Sequence, residues 1–202
     1  MKKQLQTALD YLSQQDVVLA EIIAKVGPCA IMPRKNYYKA LVNSIIAQQI
    51  SVSASRSIRN KFMDLINQNL EPENVVLYSI VQLRSVGLSI QKASYIYDLS
   101  LKFAQNKNVY NHLGRFSDEE VIKMLTEVKG IGVWTAQMFL IFSLGRLDIL
   151  PLDDVGFRNA VQIQYNMKSN PSKNRLERLA AKWKPYRSVA VWYLWQAVDK
   201  QP

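Results

Sequence analysis

The chain has 202 residues, 49% of them hydrophobic, and carries only seven glycines and seven prolines, which excludes a disordered or low-complexity protein. A formal charge of +10 and a pI near 9.7 point to a polyanionic partner, and no apolar run approaches the ~18 residues of a membrane span, so nucleic acid is favoured over a membrane surface. The single cysteine, Cys29, excludes an intrachain disulfide framework, a Cys-rich zinc site and a four-cysteine cluster; the single histidine, His112, in a loop beside Asn111, argues against a His-based metal site or Ser/His relay.

Taken in chain order, the apolar residues recur at three- and four-residue steps and alternating strand patterns are short or missing. A first helix is expected over residues 4–25. Tyr37, Tyr38, Leu41, Val42, Ile45 and Ile46 mark the apolar face of a second, and Ile58, Phe62, Leu65 and Ile66 that of a third. Pro72 suits the first turn of a fourth, and another runs from about Ser89 to Gln105. Ser117 and Glu120 form a capping box ahead of the next. A helix over 133–144 is stopped by Gly145, and another starts at Asp154. Asn170-Pro171 opens a further one, and Trp183-Lys184-Pro185 separates it from a last helix, 186–198. About ten helices in this length make an all-α protein.

The sharpest motif is Val128-Lys129-Gly130-Ile131-Gly132-Val133-Trp134-Thr135-Ala136. One helix ends near Val128 and another begins near Val133, so Gly-Ile-Gly must form a tight hairpin. Glycines allow positive φ and a close backbone approach. Ile131 can tuck between the flanking helices while the hairpin N–H groups converge on an anion such as a DNA phosphate. Basic residues also gather between Lys168 and Arg187, seven Lys/Arg against the one acid Glu177. This stretch reads either as a solvated helix face or as a phosphate-facing surface.

This hairpin resembles that of the helix-hairpin-helix DNA glycosylase superfamily, and Leu83-Arg84-Ser85-Val86-Gly87-Leu88 with Lys92-Ala93 resembles its degenerate earlier hairpin. The resemblance covers roughly residues 36–198, without the N-terminal β-rich domain of some members. It implies two helical lobes, residues 39–142 as a six-helix lobe and 1–38 plus 143–202 as the other, with an active-site cleft at their junction. The family carries a catalytic aspartate about twenty residues after the hairpin. Here Leu150-Pro151-Leu152-Asp153-Asp154 follows, with Asp154 twenty positions after Trp134, as in the branch that removes 3-methyladenine. The resemblance therefore assigns catalysis to Asp154, with Asp153 as the alternative. A carboxylate there opposes the oxocarbenium-like charge built when a base leaves; a simple N-cap is the competing and compatible role.

Where the strand-nicking branch carries an attacking lysine, this chain has Trp134, which cannot form a Schiff base. The resemblance thus implies a monofunctional glycosylase acting by hydrolysis. The segment from Trp183 to Trp195 is similar to the end of 3-methyladenine-DNA glycosylase II and places Trp195, with Trp134, in a pocket for a cationic alkylated purine. Met138 stands where that branch has another aromatic. Gln49, with Gln48 beside it, aligns with the residue that fills the gap left by a flipped base. Lys129, Gly130, Ile131 and Gly132 are the expected phosphate contacts. No cofactor is implied beyond a structural Na⁺ or K⁺ held by the carbonyls of Thr126, Val128 and Ile131.

The function so implied is removal of 3-methyladenine and 7-methylguanine from double-stranded DNA in base excision repair. The competing readings are a non-catalytic DNA-binding module with the same hairpin, and a glycosylase for another damaged base. The basic start, Met1 to Gln4, has no apolar signal core behind it. A monomer without membrane contact is expected, in a bacterial cytoplasm at the nucleoid or in a eukaryotic nucleus.

Overall fold

The computed structural model describes residues 1–199. Among the described residues every regular element is helical and there is no strand, and none of these helices is long and apolar enough to cross a membrane. The chain forms two compact units, Met1–Pro33 with the segment from Leu140 onward, and Arg34–Phe139.

The first unit opens with α1 (Lys2–Gln15) and α2 (Val17–Val26), where one continuous helix over 4–25 was expected. The break is at Asp16. Its carboxylate Oδ1 caps α2 by accepting the N–H groups of Val18 and Leu19 at 3.0 and 3.4 Å. Its other oxygen accepts the Tyr165 hydroxyl at 2.6 Å and the Trp183 indole N–H at 2.8 Å, with the Lys182 ammonium 3.1 Å away. An apolar periodicity cannot register a partner more than a hundred residues downstream, so the break was invisible in the pattern.

The second unit contains α3 (Tyr37–Ala47), α4 (Val52–Leu65), the single turn α5 (Pro72–Val75), α6 (Ile80–Arg84), α7 (Ile90–Gln105), the single turn α8 (Lys107–Tyr110), α9 (Asp118–Thr126) and α10 (Val133–Phe139). Its core is laid down at helical spacing. Tyr38, Leu41, Val42, Ile45 and Ile46 of α3 are buried, as are Ala93, Ile96, Leu99 and Phe103 of α7. The Tyr38 hydroxyl and Ser100 Oγ share a buried hydrogen bond of 2.7 Å, which satisfies two polar groups that burial would otherwise penalise. Within this unit Tyr37 packs edge-on against Phe139, with ring centroids 5.4 Å apart.

The chain then returns to the first unit through a π-helical turn, Leu140–Leu144, and Gly145 ends it at φ +69°. A Cβ at Gly145 would lie 2.7 Å from Pro33 Cγ, so the stop is also a close-packing position. There follow α11 (Val155–Gln164), α12 (Lys173–Ala180) and α13 (Arg187–Asp199). The cap of α12 is Ser172, whose Oγ accepts from Arg175 N–H, so this helix starts after Pro171 and not at Asn170-Pro171.

Burial alone would raise the Asp16 carboxyl, but the hydrogen bonds from Tyr165, Trp183 and Lys182 outweigh it and hold the group below the ordinary carboxylate range. Replacing Asp16 by Ala strands the Trp183 and Tyr165 donors and is expected to lower the unfolding free energy by about 2–4 kcal/mol in urea titrations at neutral pH. Because the folded-state value lies below the unfolded one, the advantage of the native chain is fully present above the ordinary carboxylate value of about 4. It is lost as pH falls through the lowered folded value. The gap between the two proteins should therefore close only in acid, and a gap that ignores pH would refute the role given to this carboxylate.

Candidate active site

The first unit presents a carboxylate set by its own helix. Asp154 is the N-cap of α11, and its Oδ1 accepts the Phe157 N–H at 2.5 Å. The same oxygen accepts the Trp195 indole N–H at 2.9 Å. Asp154 is only 8% exposed. A buried carboxylate oxygen that accepts two N–H groups, one from its own helix and one from an indole, is held in one orientation. Asp153 differs: its side chain is 67% exposed and pairs with Lys173 at 2.5 Å, a surface contact that contributes little.

The loop before Asp154 is fastened to α13. Ser188 Oγ accepts the Ile149 N–H at 2.8 Å, and Ser188 N–H donates to the Leu147 carbonyl at 2.9 Å. Arg187 grips Asp148 with Nε and Nη2, at 2.7 and 2.9 Å. Ser188 and Trp195 are seven residues apart, two helical turns, and so share one face of α13. That face holds both ends of the 147–154 loop. Gly156 leaves room beside this contact: a Cβ there would sit a tight 3.3 Å from Asp154 Oδ1 and in ordinary contact, 3.5 Å, with Trp195 Nε1. The Trp195 ring also stacks on Phe142, with centroids 5.9 Å apart. Trp183 and Trp192, by contrast, are buried core residues.

The second unit carries the hairpin. Val128 and Ile131 are buried, Lys129, Gly130 and Gly132 exposed, and Ile131 N–H donates to the Val128 carbonyl at 3.1 Å. Of the two uses expected for the hairpin glycines, positive φ falls to Gly130, at +78°, and not to Gly132. Gly130 lies under the ring of Tyr95, where a Cβ would be 2.0 Å from Cδ2. Lys129 N–H is not aimed outward. It donates to Asp98 Oδ2 at 2.9 Å, so among the expected phosphate contacts its backbone donor is already engaged.

Gln48, Gln49 and Trp134 line one pocket of about 630 Å³ with Lys92, Tyr95 and Gly130. Gln48 Nε2 donates to the Gly130 carbonyl at 3.0 Å. Gln49 is exposed and left-handed, φ +56°. Trp134 is 46% exposed at the start of α10, while Met138, one turn on, is half-buried and does not line that pocket. The basic 168–187 stretch is not one free face, since Lys173, Lys182 and Arg187 pair with Asp153, Asp16 and Asp148. His112 is exposed, its Nδ1 2.7 Å from the Asn108 carbonyl.

Sequence reading gave no site role to Ser188, Gly156, Tyr95 or Asp98, counted Arg187 only in the basic stretch, and saw Lys92 only as part of the degenerate hairpin. Two of these left a trace. Glycine in the first turn of α11 is a poor helix former with no turn to make. Lysine in the first turn of α7 opposes the helix dipole.

Residues 42–185 match the model of the HhH-GPD superfamily of base excision DNA repair proteins. The chain belongs to that superfamily. It is 34% identical over 193 residues to the alkylbase DNA glycosidase-like protein mag2 of Schizosaccharomyces pombe, covering 92% of this chain and 90% of the relative. It is 31% identical over 186 residues to DNA-3-methyladenine glycosylase 1 of the same yeast, covering 88% and 79%. Among solved structures, a DNA-3-methyladenine glycosidase from Bacillus halodurans superposes with a TM-score of 0.85 at 32% identity, over 96% of this chain and 89% of that one. The S. pombe 3-methyladenine DNA glycosylase bound to abasic DNA superposes at 0.81 with 29% identity, over 96% and 97%.

The two hairpin glycines should respond differently to a methyl group. Gly130→Ala meets the Tyr95 ring at an unfavourable φ and should cost about 1–3 kcal/mol in urea unfolding. Gly132→Ala has nothing within 4 Å of the added carbon and should change stability far less. Equal effects would show that the ring contact does not set the hairpin.

Proposed function

We propose that the protein is a monofunctional DNA glycosylase that hydrolyses the N-glycosidic bond of alkylated purines, 3-methyladenine and 7-methylguanine, in base excision repair. The observation that carries this reading is the buried Asp154 carboxylate, fixed by Phe157 N–H and Trp195 Nε1–H, in a chain whose relatives are named for 3-methyladenine or alkylbase removal. The DNA-bound S. pombe neighbour supports a DNA ligand. The partner is duplex DNA with a damaged base, engaged by a monomer at the bacterial nucleoid or in a eukaryotic nucleus.

The chemistry needs little from the protein beyond a well-placed anion. Alkylation at a ring nitrogen leaves the purine cationic. When its bond to C1′ breaks, the base leaves with the electron pair and becomes neutral, while the sugar takes on oxocarbenium-like charge. The Asp154 carboxylate opposes that charge. Water adds to C1′ and gives up a proton, which the carboxylate can accept. Trp195 keeps the carboxylate turned through its N–H. The exposed Trp134 indole offers an electron-rich face to a cationic base, and it carries no amine for strand nicking.

Gln49, on the loop that Gln48 fastens to the hairpin, fills the space left by the flipped nucleotide. The hairpin, Gly130 to Gly132, and the Lys129 side chain face phosphate. The carbonyls of Thr126, Val128 and Ile131 suit a hard monovalent cation, which prefers oxygen ligands. Val128 O already accepts one hydrogen bond but has a second lone pair. Such an ion would brace the hairpin and add positive charge near phosphate.

The test is release of free 3-methyladenine and 7-methylguanine from methylated duplex DNA. Asp154→Asn keeps a good N-cap, so it should fold normally yet lose at least about a hundredfold in rate. Trp195→Phe removes the indole N–H and shrinks the ring that stacks on Phe142, and should lose about tenfold. Tight DNA binding by the native protein with no base release would leave a binding module or a different lesion.

A further inference from the structure

Lys92 is placed against expectation. It is the third residue of α7, in the turn where the helix dipole favours acids, and its own N–H is capped by Ser89 Oγ at 3.2 Å. Its ammonium reaches away from that helix to the end of another. Nζ donates to the Ile46 carbonyl at 2.8 Å and to the Gln48 carbonyl at 2.6 Å. Ile46 lies in the last turn of α3 and Gln48 is its C-cap, so the lysine supplies donors that the helix end lacks. Burial pushes the Lys92 ammonium below its ordinary value, a cost accepted for this contact.

Gln48 is thereby held at both ends, its carbonyl by Lys92 and its side-chain amide by the Gly130 carbonyl at 3.0 Å. The next residue, Gln49, is exposed with φ +56°, a conformation that costs a non-glycine residue energy and persists only where neighbours impose it. Further along α7, Tyr95 covers Gly130 and Asp98 accepts the Lys129 N–H at 2.9 Å. Lys92, Tyr95 and Asp98 follow one another at three-residue steps, so each is a neighbour of the next on the helix surface. One helix thus grips both the Gln48–Gln49 loop and the phosphate hairpin.

We propose that Lys92 is a positioning residue for duplex opening: its ammonium presets the Gln48–Gln49 loop and, with Tyr95 and Asp98, makes that loop and the hairpin one rigid element. This rests on the reading that the protein opens duplex DNA, but not on base release. A loop already in its inserted shape has less freedom to lose on entering the duplex, which lowers the barrier to opening. Lys92 touches no DNA in this account, and its charge is spent on protein carbonyls.

The experiment reads opening without catalysis. The full-length protein is mixed with a duplex containing an abasic-site analogue beside 2-aminopurine, and the fluorescence rise on unstacking is followed at saturating protein. Lys92→Met should slow the rise by at least about tenfold while leaving the Kd within about threefold and the salt slope of binding unchanged. Lys92→Arg, which keeps charge and donors, should retain most of the rate. Gln49→Ala should slow the rise similarly, and the double variant should be no slower than Gln49→Ala alone, as coupled residues behave. If Lys92→Met does not fold, Gln48→Leu, which removes the surface amide tied to Gly130, takes its place with the same expected slowing. A native rate in the folded variant, additive effects, or a salt slope smaller by about one, the mark of a phosphate contact, would overturn the proposal, as would a native protein that produces no rise. A native protein that opens the duplex but releases no base would leave this inference standing and remove the glycosylase reading.

Discussion

The candidate site depends on one helix face holding one loop. The helix cap of Asp154 ties its Oδ1 to the start of α11. A further constraint comes from α13. At its first turn Arg187 and Ser188 take hold of Asp148, Ile149 and Leu147, and two turns later Trp195 reaches the carboxylate itself. An anion so held needs no reorganisation when positive charge develops beside it, which is the physical content of electrostatic preorganisation. Gly156 belongs to the same arrangement, since a Cβ there would crowd Asp154 Oδ1.

The second unit solves a different problem with similar means. A helix that ends in a surface loop leaves carbonyls without donors. Here α3 ends at the loop proposed to enter DNA, where a flexible end would be a disadvantage. Lys92 meets the carbonyls from outside the helix, and Gln48 bridges onward to the hairpin. The left-handed Gln49 then marks where the strain of this arrangement is kept. Tyr95 against Gly130 and Asp98 at the Lys129 N–H complete a framework in which the hairpin's shape is set from α7 as well as by its own two helices.

Charge divides along the same lines. The excess of +10 supports a polyanionic partner, yet part of the basic stretch near the C-terminus serves the protein itself. Arg187 fixes the loop before Asp154 and Lys182 helps to hold Asp16. The interior acid at Asp16 in turn joins α2, α11 and the segment around Trp183 within the first unit. Net charge therefore reports the class of partner, while the positions of individual charges report structure as often as contact.

The sequence by itself determined whatever is written in local pattern. Three- and four-residue spacing placed most helices, Ser117 with Glu120 marked a cap, and Gly-Ile-Gly between two apolar runs marked the hairpin. The spacing from Trp134 and the family resemblance singled out Asp154. Only the tertiary structure decided what depends on residues far apart in the chain. Asp16 breaks the first helix because Trp183 and Tyr165 wait for its carboxylate. Asp154 and Asp153 part company because one is reached by an indole 41 residues on and the other by a surface lysine. Lys92 looks misplaced in its own helix and makes sense only beside the end of α3. A hydrogen bond is directional and short, so its partner is fixed by the fold and leaves at most an anomaly in the sequence, whereas burial recurs along a helix and leaves a period.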